Sequence, residues 1–475
     1  MKKVPYSAYL QEIEPKLKQL LELLEPEYGF VSVLSADTTG AAYRIGQKNK
    51  VIMEPMTCER GSVVRTVRNK RIHEYSFSSM EDPKDAAEKI REAAEREDQL
   101  LDAENIEDYP TPDIQEEECR LSVEKEAEIL PEDLSAEEII SRLKKISDEG
   151  AAEDPRILEC VAYLSSTHVS KLYLSARKTM RQSYLFTEGM IMAVARENED
   201  VRSDYSVYSD LGGLELLDEM NHNVHTVVQN TLQLLGAPRV EPGEYDIITT
   251  PGVSGLIAHE AFGHGVEMDM FVKNRALGAH YINKRVGSGM VTMHEGALAA
   301  QDTASFAFDD EGTPAGNVTE IDRGILKSGV SDLLSALRLG TVPTGNGRRE
   351  SCERKAYARM TNTLFTGGTD TLEDMIASIR HGYLLEGMES GMEDPKNWGI
   401  QCILVKGREI RDGKLTGKVV SPVIMTGYVP DLLGSISMAT PDVYTDGCGF
   451  CGKGHKEWVK VSEGGPYLKA RGRLG

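Results

Sequence analysis

Between positions 250 and 269 the chain reads Thr-Pro-Gly-Val-Ser-Gly-Leu-Ile-Ala-His-Glu-Ala-Phe-Gly-His-Gly-Val-Glu-Met-Asp. His259, Glu260 and His264 form His-Glu-x-x-x-His: two imidazoles able to hold a metal, and a carboxylate able to move a proton. The spacing is one residue longer than the His-Glu-x-x-His of zinc-binding helices. On a regular helix, residues i and i+4 lie about 40° apart, whereas i and i+5 lie about 140° apart. Imidazoles at the wider angle cannot chelate one ion. The motif therefore predicts a local irregularity within 261–265, either a π-bulge that realigns i with i+5 or a loosening at Gly263. A two-histidine zinc site also needs a third protein ligand and an open position. Glu267, Asp269, His280, His294, Cys448, Cys451 and His455 are the candidates. The densest group of soft ligands is 446–455, Asp-Gly-Cys-Gly-Phe-Cys-Gly-Lys-Gly-His. Its Cys-x-x-Cys equally suits a redox pair or half of a structural zinc site. His222 and His225 read as residues on the polar face of a helix.

The elements that must position these residues follow from periodicity. Leu10, Ile13, Leu17, Leu20, Leu21 and Leu24 predict an amphipathic helix over 7–24. Short β-rich runs follow at 30–34, 42–45, 51–53, 62–67 and 72–77, separated by turn residues such as Asp37 and Gly40, which suggests an antiparallel meander. Helices are expected after Asp82-Pro83 and after Ser135, with a loop between them. Strands are expected at 171–175, 181–187 and 191–197, then one long helix over 213–235 ending at Gly236-Ala237-Pro238. The predicted class is α+β: two mixed domains built on antiparallel sheets with packed helices. The boundary falls at 238, giving an N-terminal domain 1–238 and a C-terminal domain 239–475 that holds the candidate ligands.

Among 475 residues, 54 basic against 76 acidic side chains give a net charge of −22. That field repels phosphate backbones and anionic lipid, which argues against nucleic acid or membrane as a partner. The segment 81–154 alone carries −18 and reads as solvated helices. No run of 18 apolar residues and no targeting segment is visible, and seven cysteines do not form a disulfide framework. A reducing cytoplasm is the expectation.

His-Glu-Ala-Phe-Gly-His-Gly-x-Glu-x-Asp resembles the metal-binding helix of the TldD/TldE (PmbA) metallopeptidase family. Further blocks match in order: 308–314 (Phe-Asp-Asp-Glu-Gly-Thr-Pro), 344–351 (Thr-Gly-Asn-Gly-Arg-Arg-Glu-Ser), 359–363 (Arg-Met-Thr-Asn-Thr), 436–438 and 451–453 (Cys-Gly-Lys). The likeness is specific from about residue 249 onward. It implies a zinc peptidase of the TldD type, with His259, His264 and Cys451 as Zn2+ ligands and Glu260 as the catalytic carboxylate. It also implies a dimer, either of this chain with itself or with a TldE-like subunit, whose cavity admits unfolded or extended peptides. Arg359, Thr361 and Asn362 would lie near the peptide cleft, on a strand edge suited to β-addition, with Arg348 as a further substrate contact. The block 346–349 otherwise reads as a surface loop, and Asp309-Asp310-Glu311 as a turn or an acid cluster near the metal. The older family label, modulator of DNA gyrase, finds no support in the charge. Two other classes stand beside the peptidase: a non-catalytic binding or assembly subunit, and a thiol or structural-zinc protein using Cys448 and Cys451.

Overall fold

The computed structural model describes residues 1–103, 110–454 and 457–475. The leucine stripe is the buried face of helix α1 (Ala8–Leu24), whose N-cap Ser7 accepts a hydrogen bond from the Leu10 amide. Strands β1 (Phe30–Ile45), β2 (Lys50–Met53), β3 (Glu59–Arg68) and β4 (Arg71–Phe77) follow. Strand β1 runs unbroken through Asp37 and Gly40, where two shorter strands were predicted. Asp37 remains in the ladder with its carboxylate bonded to Ser7 and Arg60. At Gly40 a Cβ would lie 2.5 Å from the Ser166 carbonyl oxygen, so glycine permits close approach of the neighbouring strand instead of a turn.

Helix α2 (Pro83–Ala103) buries Ala87, Ile90 and Ala94; helix α3 (Ala136–Ala152) buries Ile139, Leu143 and Ile146. A capping box between Ser135 and Glu138 starts α3. The acidic segment is more than two solvated helices and a loop, because β5 (Cys119–Glu124) lies between them and pairs with the main sheet in parallel. Strand β6 (Ile157–Ser175) starts well before the expected 171–175, β7 (Lys178–Glu197) is one strand where two were expected at 181–187 and 191–197, and β8 (Asp200–Asp210) follows where none was expected. The sheet order is β8-β7-β6-β1-β3-β4, all antiparallel, with β2 on β1 and β5 on β7. The single helix predicted over 213–235 is two, α4 (Leu216–Met220) and α5 (Val224–Leu234). It breaks at Asn221-His222-Asn223, residues of low helix propensity.

Beyond residue 242 come β9 (Gly243–Thr249), α6 (Pro251–Ala258), β10 (Met293–Glu295), β11 (Val318–Asp322), β12 (Ile325–Leu326) and β13 (Asn362–Phe365). Strands β14 (His381–Asp394), β15 (Gly399–Arg411), β16 (Val423–Tyr428), β17 (Tyr444–Asp446), β18 (Ser462–Gly465) and β19 (Leu468–Leu474) complete the major elements. β9, β14, β15, β16 and β19 pair successively, and β19 returns to β9, so this sheet closes on itself. A second sheet has the order β12-β11-β10-β13-β18-β17. The architecture is α+β as expected, with parallel pairs β9–β14 and β13–β18 among the antiparallel ones. Helix α6 is buried against both sheets: Val253, Leu256 and Ile257 share a core with Ile247, Leu385, Ile400 and Leu404.

Buried ion pairs stitch the two halves together. Arg65 on β3 sits 2.8 Å from Glu74 and 2.6 Å from Glu311, and Arg349 pairs with Glu74 from the other side. Lys171 meets Asp310, Lys406 meets Asp204, and Lys460 meets Glu188. Removing one partner of such a pair leaves a buried charge uncompensated, at a cost of about 3–5 kcal/mol.

Candidate metal centre

Pro251 at the first helical position starts α6, where its missing N–H costs nothing. At Gly255 a Cβ would lie 2.6 Å from the Gly464 amide nitrogen, so the helix backbone rests directly on β18. After Ala258 the winding changes. His259–Gly263 is a π-helical turn in which the His264 amide donates to the His259 carbonyl, five residues back. A 3-10 turn, His264–Val266, follows. This is the irregularity that the six-residue motif demanded, begun at His259 instead of Ala261. It brings the two imidazoles edge to face, with ring centroids 5.3 Å apart.

The third donor arrives from far along the chain. Cys451 lies on a short strand, Phe450–Cys451, paired with Val459–Lys460. Its Sγ is 3.2 Å from His264 Nε2. One donor atom from each of His259, His264 and Cys451 lies within 4.8 Å of the others, the one such group among the described residues. A tetrahedral zinc with ordinary Zn–N and Zn–S bonds places its N and S donors about 3.6 Å apart, so these spacings suit it. Two imidazoles and a thiolate are also zinc's preferred donor types.

The electrostatics agree. Burial alone would push the Cys451 thiol up, but the two neighbouring imidazoles outweigh it and hold the thiol well below its ordinary range. Burial likewise opposes charging the histidines, yet Cys451 and nearby carboxylates raise His259 to about 9 and His264 well above its usual value. The trio thus stabilises a thiolate, the form that binds metal.

Surrounding residues hold the donors in place. His264 Nδ1 is 3.3 Å from Glu267 Oε2, an orienting carboxylate that leaves Nε2 toward the thiol. Glu267 is in turn 3.1 Å from Lys453 Nζ and 3.3 Å from Arg359 Nε. Despite desolvation, these cations and His264 keep Glu267 well below the usual carboxylate range. Lys453 also bonds Asp269 at 2.7 Å, and Arg359 donates to the carbonyls of Cys451 (2.8 Å) and Glu457. Glu260 stays partly open to solvent, with Oε2 3.9 Å from His264 Nε2. Strand β14 passes closely behind it: a Cβ on Gly391 would lie 2.5 Å from Glu260 Cγ.

Several expectations change. Glu267 and Asp269 are outside the donor group and act as supports. His294 bonds Asn317, and His225 pairs with Glu153; neither they nor His222 and His280 join the donors. The Cys448 thiol donates to the Tyr208 carbonyl at 3.1 Å, so the Cys-x-x-Cys thiols serve different surroundings. All seven cysteines are free. His455 lies outside the described residues. Arg359, Thr361 and Asn362 do not face a cleft: all are fully buried. Thr361 and Thr363 donate to Glu295, and Asn362 to the Gly296 carbonyl and Ser305. Strand β13 is interior, paired with β10 and β18, and offers no edge for β-addition. The block 346–349 is buried rather than a surface loop, with Arg348 Nη1 donating to the Met360 and Lys460 carbonyls at 2.6 Å each. Arg348 remains half-buried, lining a cavity of about 70 Å³ with Tyr184, Phe306 and Trp458. Asp309-Asp310-Glu311 does form a turn, with Gly312 at φ +72°. Asp310 and Glu311 serve the clamp between the halves, while Asp309 accepts the backbone amides of Glu311, Thr313 and Gly347.

Alternation had marked 359–363 as a strand; the strand is Asn362–Phe365, and both its faces are covered. The roles of Gly391 and Lys453 also went unread, since the partners of both, Glu260 for one and Glu267 and Asp269 for the other, are distant in the chain. Glu267 had one: it lies three residues after His264, within reach on a helical turn.

Residues 242–472 match the PmbA/TldA metallopeptidase C-terminal domain. A "Metalloprotease TldD homolog" of Buchnera aphidicola is 28% identical over 327 residues, covering 66% of this chain and 67% of its own. A "Zinc metalloprotease TldD homolog" of Saccharolobus solfataricus is 27% identical, with 70% and 75% covered. The fold is similar to a crystal structure of a Thermotoga maritima protein described as a modulator of a DNA gyrase, with TM-score 0.79, 17% identity and coverage of 98% and 100%. It is also similar to TldE from Thermococcus kodakarensis, with TM-score 0.73, 16% identity and coverage of 97% and 99%. Residues 242–472 thus match a metallopeptidase C-terminal domain, and the relatives and solved structures support the TldD/TldE (PmbA) family.

Proposed function

We propose that the chain is a TldD-type zinc peptidase whose catalytic domain is 239–475. The observation that supports this most is the convergence of His259, His264 and Cys451, with the Glu260 carboxylate flanking the donors at 3.9 Å. The residues fit zinc by donor type, spacing and thiolate stabilisation. Zinc held there supplies a Lewis acid that polarises the scissile carbonyl and acidifies water.

The chain's own groups do the rest. Glu260 takes the attacking water's proton on a carboxylate oxygen and passes it to the leaving amine. Glu267 fixes the His264 ring, Lys453 fixes Glu267, and Arg359 fixes the backbone of the Cys451 hairpin, so the donors are pre-organised. Extended or unfolded peptides are the proposed substrates, reached in a cavity of a dimer formed with a second copy or a TldE-like subunit. A cytoplasmic setting suits a buried reduced thiol ligand, and no described helix is long and apolar enough to cross a membrane. The separate surroundings of Cys448 and Cys451 weigh against dithiol chemistry, and the intact donor set weighs against a purely binding subunit.

The test is hydrolysis of an unfolded peptide by wild type and Glu260→Gln, with and without a TldE-like subunit, alongside zinc content. Retained zinc with hydrolysis lowered about 10²–10⁴-fold is expected. Unchanged hydrolysis would remove Glu260 from the mechanism.

A further inference from the structure

Two imidazoles meet the proposed metal, and only one has an evident partner for its second nitrogen. His264 Nδ1 faces Glu267 at 3.3 Å. His259 is buried, and its Nδ1 has no hydrogen-bond partner. A ring that offers Nε2 to a metal must carry its proton on Nδ1, and a buried unpaired N–H is costly. The structure places one acceptor beside it. Glu463 Oε2 lies 3.7 Å from His259 Nδ1, in a carboxylate that is itself buried and whose Oε1 is also unpartnered.

The backbone makes this meeting a fixed one. Glu463 is on β18, held on one side by β13 through Thr363 and on the other by β17 through Asp446. A Cβ on Gly255 would lie 2.6 Å from Gly464 N and 2.9 Å from Glu463 C. The helix carrying His259 and the strand carrying Glu463 thus touch backbone to backbone, four residues before the imidazole. Neither element can drift without breaking that contact.

We infer that Glu463 is the positioning residue of His259, accepting its Nδ1 proton and fixing the ring with Nε2 toward the metal, as Glu267 does for His264. Glu463 contacts no reacting atom. Its effect passes through the imidazole. Each ligand histidine then has its own carboxylate, one three residues along the same turn and one from a strand two hundred residues later. The inference rests on the zinc reading above.

The experiment measures zinc affinity of the full chain by chelator competition for wild type, Glu463→Gln and Glu463→Leu, with thermal melting alongside. Nitrogen-15 NMR of the histidine rings in the zinc-loaded chain reports which nitrogen carries the proton. Wild type should show His259 protonated at Nδ1. Glu463→Leu should bind zinc about 10–100-fold more weakly. Glu463→Gln, whose amide oxygen still accepts an N–H, should lose less. Zinc affinity unchanged in both variants overturns the inference, as does an equal loss in both with the His259 tautomer unaltered. If the Leu variant does not fold, Glu463→Ala takes its place: a His259 ring signal identical to wild type, with unchanged zinc affinity, refutes the role. Failure of the underlying zinc reading looks different, because wild type itself would bind no zinc or bind it independently of Cys451.

Discussion

Gly391→Ala tests whether the position of the Glu260 carboxylate matters. In β14 the added methyl would lie 2.5 Å from Glu260 Cγ, 2.8 Å from its Cβ and 2.9 Å from Leu256 Cδ1. Carbon atoms pack at about 3.5–4.0 Å, so Glu260 must move by roughly 1 Å. A displacement of that size at a reacting group costs about 10²-fold, or ~2.7 kcal/mol of barrier. The substitution should not harm the strand otherwise, since alanine in a strand interior is favoured over glycine by about 0.5–1 kcal/mol. Zinc binding should persist because the three donors are untouched. The assay is kcat on an unfolded peptide, zinc content and a melting curve, with Gly399→Ala on the neighbouring strand as control. A Cβ at Gly399 meets nothing within 4 Å, so that variant should match wild type. If Gly391→Ala keeps kcat within about threefold of wild type, Glu260 either is not the proton carrier or is not held where the structure puts it.

Two further outcomes are expected. Cys451→Ser should weaken zinc by at least about 100-fold, as one of three protein ligands is lost, while Cys448→Ser leaves it unchanged in the same chelator titration. Glu74, held at about 2 by Arg65 and Arg349 against the effect of burial, should make the chain acid-sensitive. Its depressed value stabilises the fold fully above pH ~4.5, by on the order of 3 kcal/mol, and the gain is lost as pH falls toward 2. Glu74→Gln should therefore lower stability at pH 7 and flatten the acid limb of a denaturation series.

The candidate metal centre was legible in the sequence where a geometric contradiction forced a conclusion. Six residues spanning two histidines cannot chelate from an α-helix, and the π turn at His259–Gly263 is the resolution. Cys451, 187 residues beyond His264, stood out in a cluster of soft ligands, and family motifs chose it over Cys448. What stayed hidden depended on partners distant in the chain. Asp37 and Gly40 look like turn residues until Arg60 and β6 supply their reasons for sitting in a strand. Arg359 looks like a substrate contact because the family resemblance puts its block near a peptide cleft. Here Glu267 and two carbonyls satisfy it inside the protein. Glu463 carried no motif at all, since its relation to His259 exists only once β18 is laid against α6.

The closed sheet has a consequence for biosynthesis. Strand β19 is the piece that joins β16 back to β9, and it follows both in the chain. A ribosome adding about 5–20 residues per second needs roughly 10–50 s to travel from β9 to β19. Throughout that interval β9 presents an open edge, joined by that of β16 for the last forty or so residues, and such edges are the usual template for misassembly. Cys451 is made late in the same interval, so the donor set and the ring are completed together.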